Sequence, residues 1–154
     1  MRTILRFAPV LSLCALGLAA GASPAAGADV GVRGGYYFDV DEPFAGIELL
    51  TRVTHQVYFN PNLEYVFTDG FDYLTLNGDF HYDFPVYGRQ FVWAGAGLGL
   101  VRVDPDGPGD SDMDAALNLL AGLGFRAGGV IPYFQGKIIV KDNSEFVFAF
   151  GIRF

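Results

Sequence analysis

His81 stands between Asp79 and Asp83 at intervals of two, a spacing that puts all three side chains on one face of a β-strand. An imidazole flanked by carboxylates has the chemistry to move a proton or to help hold a metal. A hydrolytic triad needs a nucleophile too. Cys14, the one thiol, falls in the first 28 residues, and Ser111 and Ser144 fall in stretches read below as loops. The cluster therefore reads as a hydrogen-bonding group, and the chain as a non-enzyme. The second candidate is Asp104-Pro-Asp-Gly-Pro-Gly-Asp-Ser-Asp112. Asp104, Asp106, Asp110 and Asp112 offer oxygens suited to Ca²⁺ or Mg²⁺. Pro108 stands where the helix–loop–helix calcium pattern wants a ligand, and no Glu closes the loop. A solvated turn is the simpler reading, and no other cofactor is expected.

These residues need elements to position them. The chain opens with Arg2 and Arg6, an apolar stretch from Phe7 to Ala20, and Ala26-Gly27-Ala28. That is the pattern of a secretory signal with an A-x-A cleavage site. Residues 1–28 are read as a signal peptide and 29–154 as one mature domain without a thiol. The mature part keeps all 17 acidic residues and eight of the ten basic ones, a net charge of −9. That sign disfavours nucleic-acid partners, whose phosphates demand the opposite.

Beyond the leader, helical periodicity is almost absent and period-two alternation prevails. Eight strands are predicted: Val30–Phe38, Phe44–Val53, Val57–Thr68, Tyr73–Phe84, Phe91–Val103, Ala115–Ala127, Ile131–Lys141 and Glu145–Phe154. Short connections predict that each pairs with the next as an antiparallel up-and-down barrel. On the fourth run Leu74, Leu76, Phe80 and Tyr82 share one face, and Asn77, Asp79, His81 and Asp83 the other. The apolar set is too large and aromatic for the interior of an eight-stranded barrel. It is expected outside, against lipid. Aromatics also gather in two belts, Tyr36, Phe38, Phe44 and Phe67 at one end and Phe80, Tyr82, Phe84, Phe125 and Phe154 at the other. About ten residues per strand, tilted by ~40°, rise roughly 25 Å, the height of an outer-membrane apolar band. Pro61 falls inside the third run, so either a bulge absorbs it or Asn60-Pro61-Asn62 belongs to the turn, and the bulge is the expectation.

The polar face then lines the lumen. Arg33, Glu48, Arg52, Glu64, Asp79, His81, Asp83, Arg126, Lys137 and Arg153 are predicted there, five cations against four carboxylates. Charges so enclosed must pair, which predicts a plugged interior, with a narrow pore for water or small ions as the variant. With both termini in the periplasm, 12 of the 17 acidic residues fall on the outer loops. Such a rim suits divalent cations shared with lipopolysaccharide phosphates.

Four segments carry a resemblance: Phe44-Ala-Gly-Ile-Glu48, Asn60-Pro-Asn-Leu-Glu-Tyr65, Trp93-Ala-Gly-Ala-Gly-Leu98 and the closing Phe146-Val-Phe-Ala-Phe-Gly-Ile-Arg-Phe154. The chain resembles the small eight-stranded outer-membrane barrels: the OmpA membrane domain, OmpX and the opacity-like outer membrane protein β-barrel group. The resemblance implies a monomer in the bacterial outer membrane with an envelope structural or stress-related role. It also implies that Phe150, Ile152 and Phe154 form the signal read by the outer-membrane assembly machinery. The loops are shorter than that family's, which weighs against an adhesive role. The reading of a different class is a soluble periplasmic lipocalin-like barrel with a hydrophobic ligand, which requires the aromatic face to turn inward.

Overall fold

A computed structural model describes residues 27–154 apart from Tyr87 and Pro108. The expected leader, with Cys14, lies outside the described residues. Eight strands follow one another: β1 (Ala28–Tyr37), β2 (Glu42–Arg52), β3 (Val57–Val66), β4 (Phe71–Pro85), β5 (Gln90–Pro105), β6 (Asp112–Phe125), β7 (Ile131–Val140) and β8 (Glu145–Arg153). Each pairs antiparallel with its neighbours, and β1 pairs with β8 to close the barrel. Closure removes both sheet edges, so no row of backbone donors is left unpaired. The ladder is extended at both ends of the seam, where Phe38 N–H donates to Phe146 O at 2.9 Å and Phe154 N–H to Val30 O at 2.8 Å. Ala28, the last residue of the expected leader, is already in the ladder opposite Thr51.

The first described residues and Phe154 lie at one end, called here the near end. The near-end connections are short turns, of which Ala127–Val130 is the tightest, with Gly128 at φ 71° supplying the left-handed step. The far end carries the connections after β1, β3, β5 and β7.

Alternation sorts the side chains. Leu98, Phe134, Phe150 and Phe154 are at least half exposed on the outside. Glu64, Asp79, Lys137 and Arg153 are fully buried inside. This is the inverse of a soluble sheet, whose apolar face is turned to the core.

Two expectations need correction. The interior is not polar throughout. Phe44, expected in an outer belt, is buried within a far-end cluster that includes Tyr37, Val66, Tyr73 and Val101. A second cluster of Phe91, Trp93, Leu120 and Tyr133 fills the near end. These rings fit because glycines face them across the ladder. Phe44 pairs with Gly35, Trp93 with Gly122, Phe91 with Gly124 and Tyr133 with Gly151. A methyl group added at Gly122 would lie 2.2 Å from the Trp93 ring, far inside van der Waals contact.

Pro61 causes no bulge. Glu48 stays opposite Asn62 and Thr51 opposite Phe59, so the register is the same on both sides of it. The N–H that proline lacks would have bonded to Leu49 O. Asn60 Nδ2 donates to that carbonyl at 2.7 Å instead. A neighbouring side chain replaces the missing ladder donor, and the backbone needs no rearrangement.

Candidate functional site: a buried charge network and the near-end mouth

Between the two aromatic layers lies a polar network built on two glutamates. Glu64 accepts from Lys137 Nζ at 3.0 and 2.9 Å, lies 3.2 Å from Arg33 Nε, and accepts from Tyr37 Oη. Glu48 takes both Arg153 Nε at 2.9 Å and Arg153 Nη2 at 3.3 Å, a forked pair, and accepts from Asn60 at 3.0 Å. Arg33 joins the two centres, its Nη1 lying 3.5 Å from Glu48. The third carboxylate, Asp79, accepts from Asn62 at 3.0 Å and Asn118 at 2.8 Å. Asn77 ties those two amides together.

Strand parity brings these groups together. β1, β2, β3, β4, β6, β7 and β8 each send at least one inward polar residue into the network. Glycines at Gly95, Gly97 and Gly99 leave β5 without side chains there, so Asn118 of β6 reaches across it to Asn77 and Asp79 of β4. Within this network three cations (Arg33, Lys137, Arg153) face three carboxylates (Glu48, Glu64, Asp79), all buried. The network is formally neutral, as the cost of burying an unpaired ion requires.

The expected lumen set is therefore smaller than the sequence suggested. Arg52 and Arg126 are exposed at the near end. Arg52 lies over the Tyr58 ring at 5.6 Å and Arg126 over the Phe91 ring at 4.3 Å. Arg52 is the last residue of β2 and Arg126 follows the last residue of β6, so parity points each inward but depth leaves it in the mouth.

The Asp79–His81–Asp83 set also divides. Asp79 belongs to the amide network. His81 Nε2 lies 3.3 Å from Asp83 Oδ1, and the imidazole is held between Tyr58 and Trp93, each 5.6 Å away. Ser111 and Ser144 are in connections at the opposite end of the barrel from this imidazole. Among the described residues no three His, Cys, Asp or Glu side chains cluster as a metal site. Asp104, one of the four aspartates considered for calcium, instead pairs with Arg102 at 2.8 Å. Asp106 and Asp110 are exposed in the loop, and Asp112 begins β6. Phe150, Ile152 and Phe154 all face outward on the final strand.

The inward aromatic layers were missed by sequence reasoning. The signal was present: Tyr37 shares parity with Arg33, Tyr73 with Asn77, and Trp93 with the glycine run. Asn60 was missed because Pro61 drew the reading toward a bulge.

Comparison with solved structures sets this geometry beside known barrels. The N-terminal β-barrel domain of Pseudomonas aeruginosa OprF superposes with a TM-score of 0.67, at 16% identity over 82% of this chain and 95% of that one. The fold is that of the small eight-stranded outer-membrane barrels. Neisserial surface protein A gives a TM-score of 0.60 at 16% identity, covering 82% of this chain and 92% of that one. The outer membrane enzyme PagL gives 0.60 at 17% identity, covering 81% and 97%. No family model and no curated protein sequence matches the chain.

Proposed function

We propose that this chain is an integral outer-membrane barrel with a structural or stress-related role in the envelope, its lumen closed by its own side chains. The observation that carries this reading is the inverted sorting of side chains, apolar and aromatic outward and ion-paired inward. An outward aromatic face is what a lipid bilayer solvates. The same orientation removes the inward apolar cavity that a soluble lipocalin-like carrier needs. A signal peptide ending near Ala28, termini in the periplasm, and assembly through the Phe150–Phe154 segment complete the proposal.

Closure rests on three stacked layers: the far-end aromatic cluster, the neutral ion network and the near-end aromatic cluster. An eight-stranded barrel holds little more than its side chains, and here they interlock. Reconstituted in planar bilayers, the purified protein is expected to give no resolved single-channel conductance. Reproducible conductance steps from the wild-type chain would contradict closure and favour the narrow-pore reading.

A further inference from the structure

The near-end mouth differs from the sealed interior beneath it. It is a recess of about 370 Å³ whose lining includes Arg52, Tyr58, Arg126, Phe91, Asp83 and Asp29. That volume lies at the small end of ordinary ligand sites. Deeper in the barrel Arg33, Lys137 and Arg153 are matched to carboxylates. In the mouth, charges of both signs share one small space without pairing to each other. Among the described residues neither Arg52 nor Arg126 lies within ion-pair distance of an acid. Each guanidinium is held by its face on an aromatic ring, which leaves its N–H edges free for a forked bond to a carboxylate. Asp83 adds a carboxylate to the same recess. It lines the recess, is only 8% exposed, and has its Oδ1 turned to His81. His81 at 3.3 Å braces it from below.

We propose that the mouth binds a small zwitterion bearing a carboxylate and an ammonium group, such as an amino acid or a short peptide. A simple anion would meet Asp83 and Asp29, and a simple cation would meet both arginines. A molecule carrying both charges places its carboxylate against the guanidiniums and its ammonium against Asp83. The proposal goes beyond the envelope role and does not depend on whether the lumen conducts.

The molecule supplies its own reporter. Trp93 is the only tryptophan, and it packs against Phe91 and His81 directly beneath the recess. The exported protein, purified in a non-ionic maltoside detergent, would be titrated separately with glycylglycine, phosphoethanolamine, acetate and ethylammonium while Trp93 emission is followed. Glycylglycine is expected to give a saturable change, and acetate and ethylammonium none at equal concentration. Arg52→Gln with Arg126→Gln, and separately Asp83→Asn, should each weaken glycylglycine binding about tenfold or more, since each removes a charge-assisted contact. Arg102→Gln at the far end should leave it unchanged. Retention of the heat-sensitive gel mobility of a folded barrel shows that each variant folds. Acetate saturating as well as glycylglycine, or phosphoethanolamine binding more tightly, overturns the assignment of ligand class. So does the absence of any saturable response, or mouth variants that bind like wild type.

Discussion

Glu64 is the residue on which most of the buried charge converges. Lys137, Arg33, Tyr37 and Thr75 all approach its carboxylate. Glu64→Gln keeps the shape and removes the charge, leaving Lys137 and Arg33 enclosed with one fewer counterion. Breaking a buried pair in this way destabilises by about 3–5 kcal/mol. The expected outcome is a lower urea midpoint for unfolding from detergent, followed by loss of the folded gel band. Lys137→Met on the Glu64→Gln background should recover part of that loss, since it restores neutrality. A Glu64→Gln variant as stable as wild type would mean that the network is solvated rather than enclosed. The buried members were legible from parity alone: Arg33, Glu48, Glu64, Asp79, Lys137 and Arg153 alternate with apolar residues on their strands. Depth was not legible. Arg52 and Arg126 have inward parity, yet they lie at strand ends, and a sequence carries no mark of how far the ladder extends past the packed layers.

At the scale of elements, the pairing of a large ring with a glycine across the ladder decides which aromatics enter the barrel. Gly122 opposite Trp93 is the tightest of these. Gly122→Ala would force the indole or the β5–β6 ladder to shift, and overpacking of this kind typically destabilises by about 1–3 kcal/mol. Trp93→Leu should relieve much of it when the two are combined, measured by the same unfolding midpoint. Simple additivity of the two substitutions would show that they do not meet. This complementarity explains why strand number and facing were readable but the aromatic layers were not. Alternation fixes which face a residue occupies, whereas the space available on that face depends on the partner strand's register. Pro61 is the same lesson in the backbone. The expected bulge was a reasonable response to a missing donor, but Asn60 supplies the donor from a side chain, a solution that depends on three-dimensional placement.

For the whole molecule, the far-end rim carries most of the acid, and part of that acid is structural. Asp39 accepts from Phe146 N–H, Asp41 from Tyr36, Asp72 from Tyr65, and Glu145 from Asp39 N–H. These contacts hold the β1–β2, β3–β4 and β7–β8 connections in place. The β5–β6 loop aspartates Asp106 and Asp110 have no such internal duty among the described residues. They are the group expected to share divalent cations with lipopolysaccharide phosphates. Replacing Asp104, Asp106, Asp110 and Asp112 by Asn should abolish any stabilisation of the protein by added Mg²⁺ or Ca²⁺ in lipopolysaccharide-containing membranes. A wild type insensitive to both ions would end that reading. The outward apolar face can be tested directly by one measurement. Cells producing the chain would be fractionated, and the membrane and periplasmic fractions run on SDS gels with and without boiling. The account predicts a protein in the outer-membrane fraction that requires detergent for extraction and changes mobility on heating. Recovery of the folded protein from the soluble periplasm without detergent would contradict it.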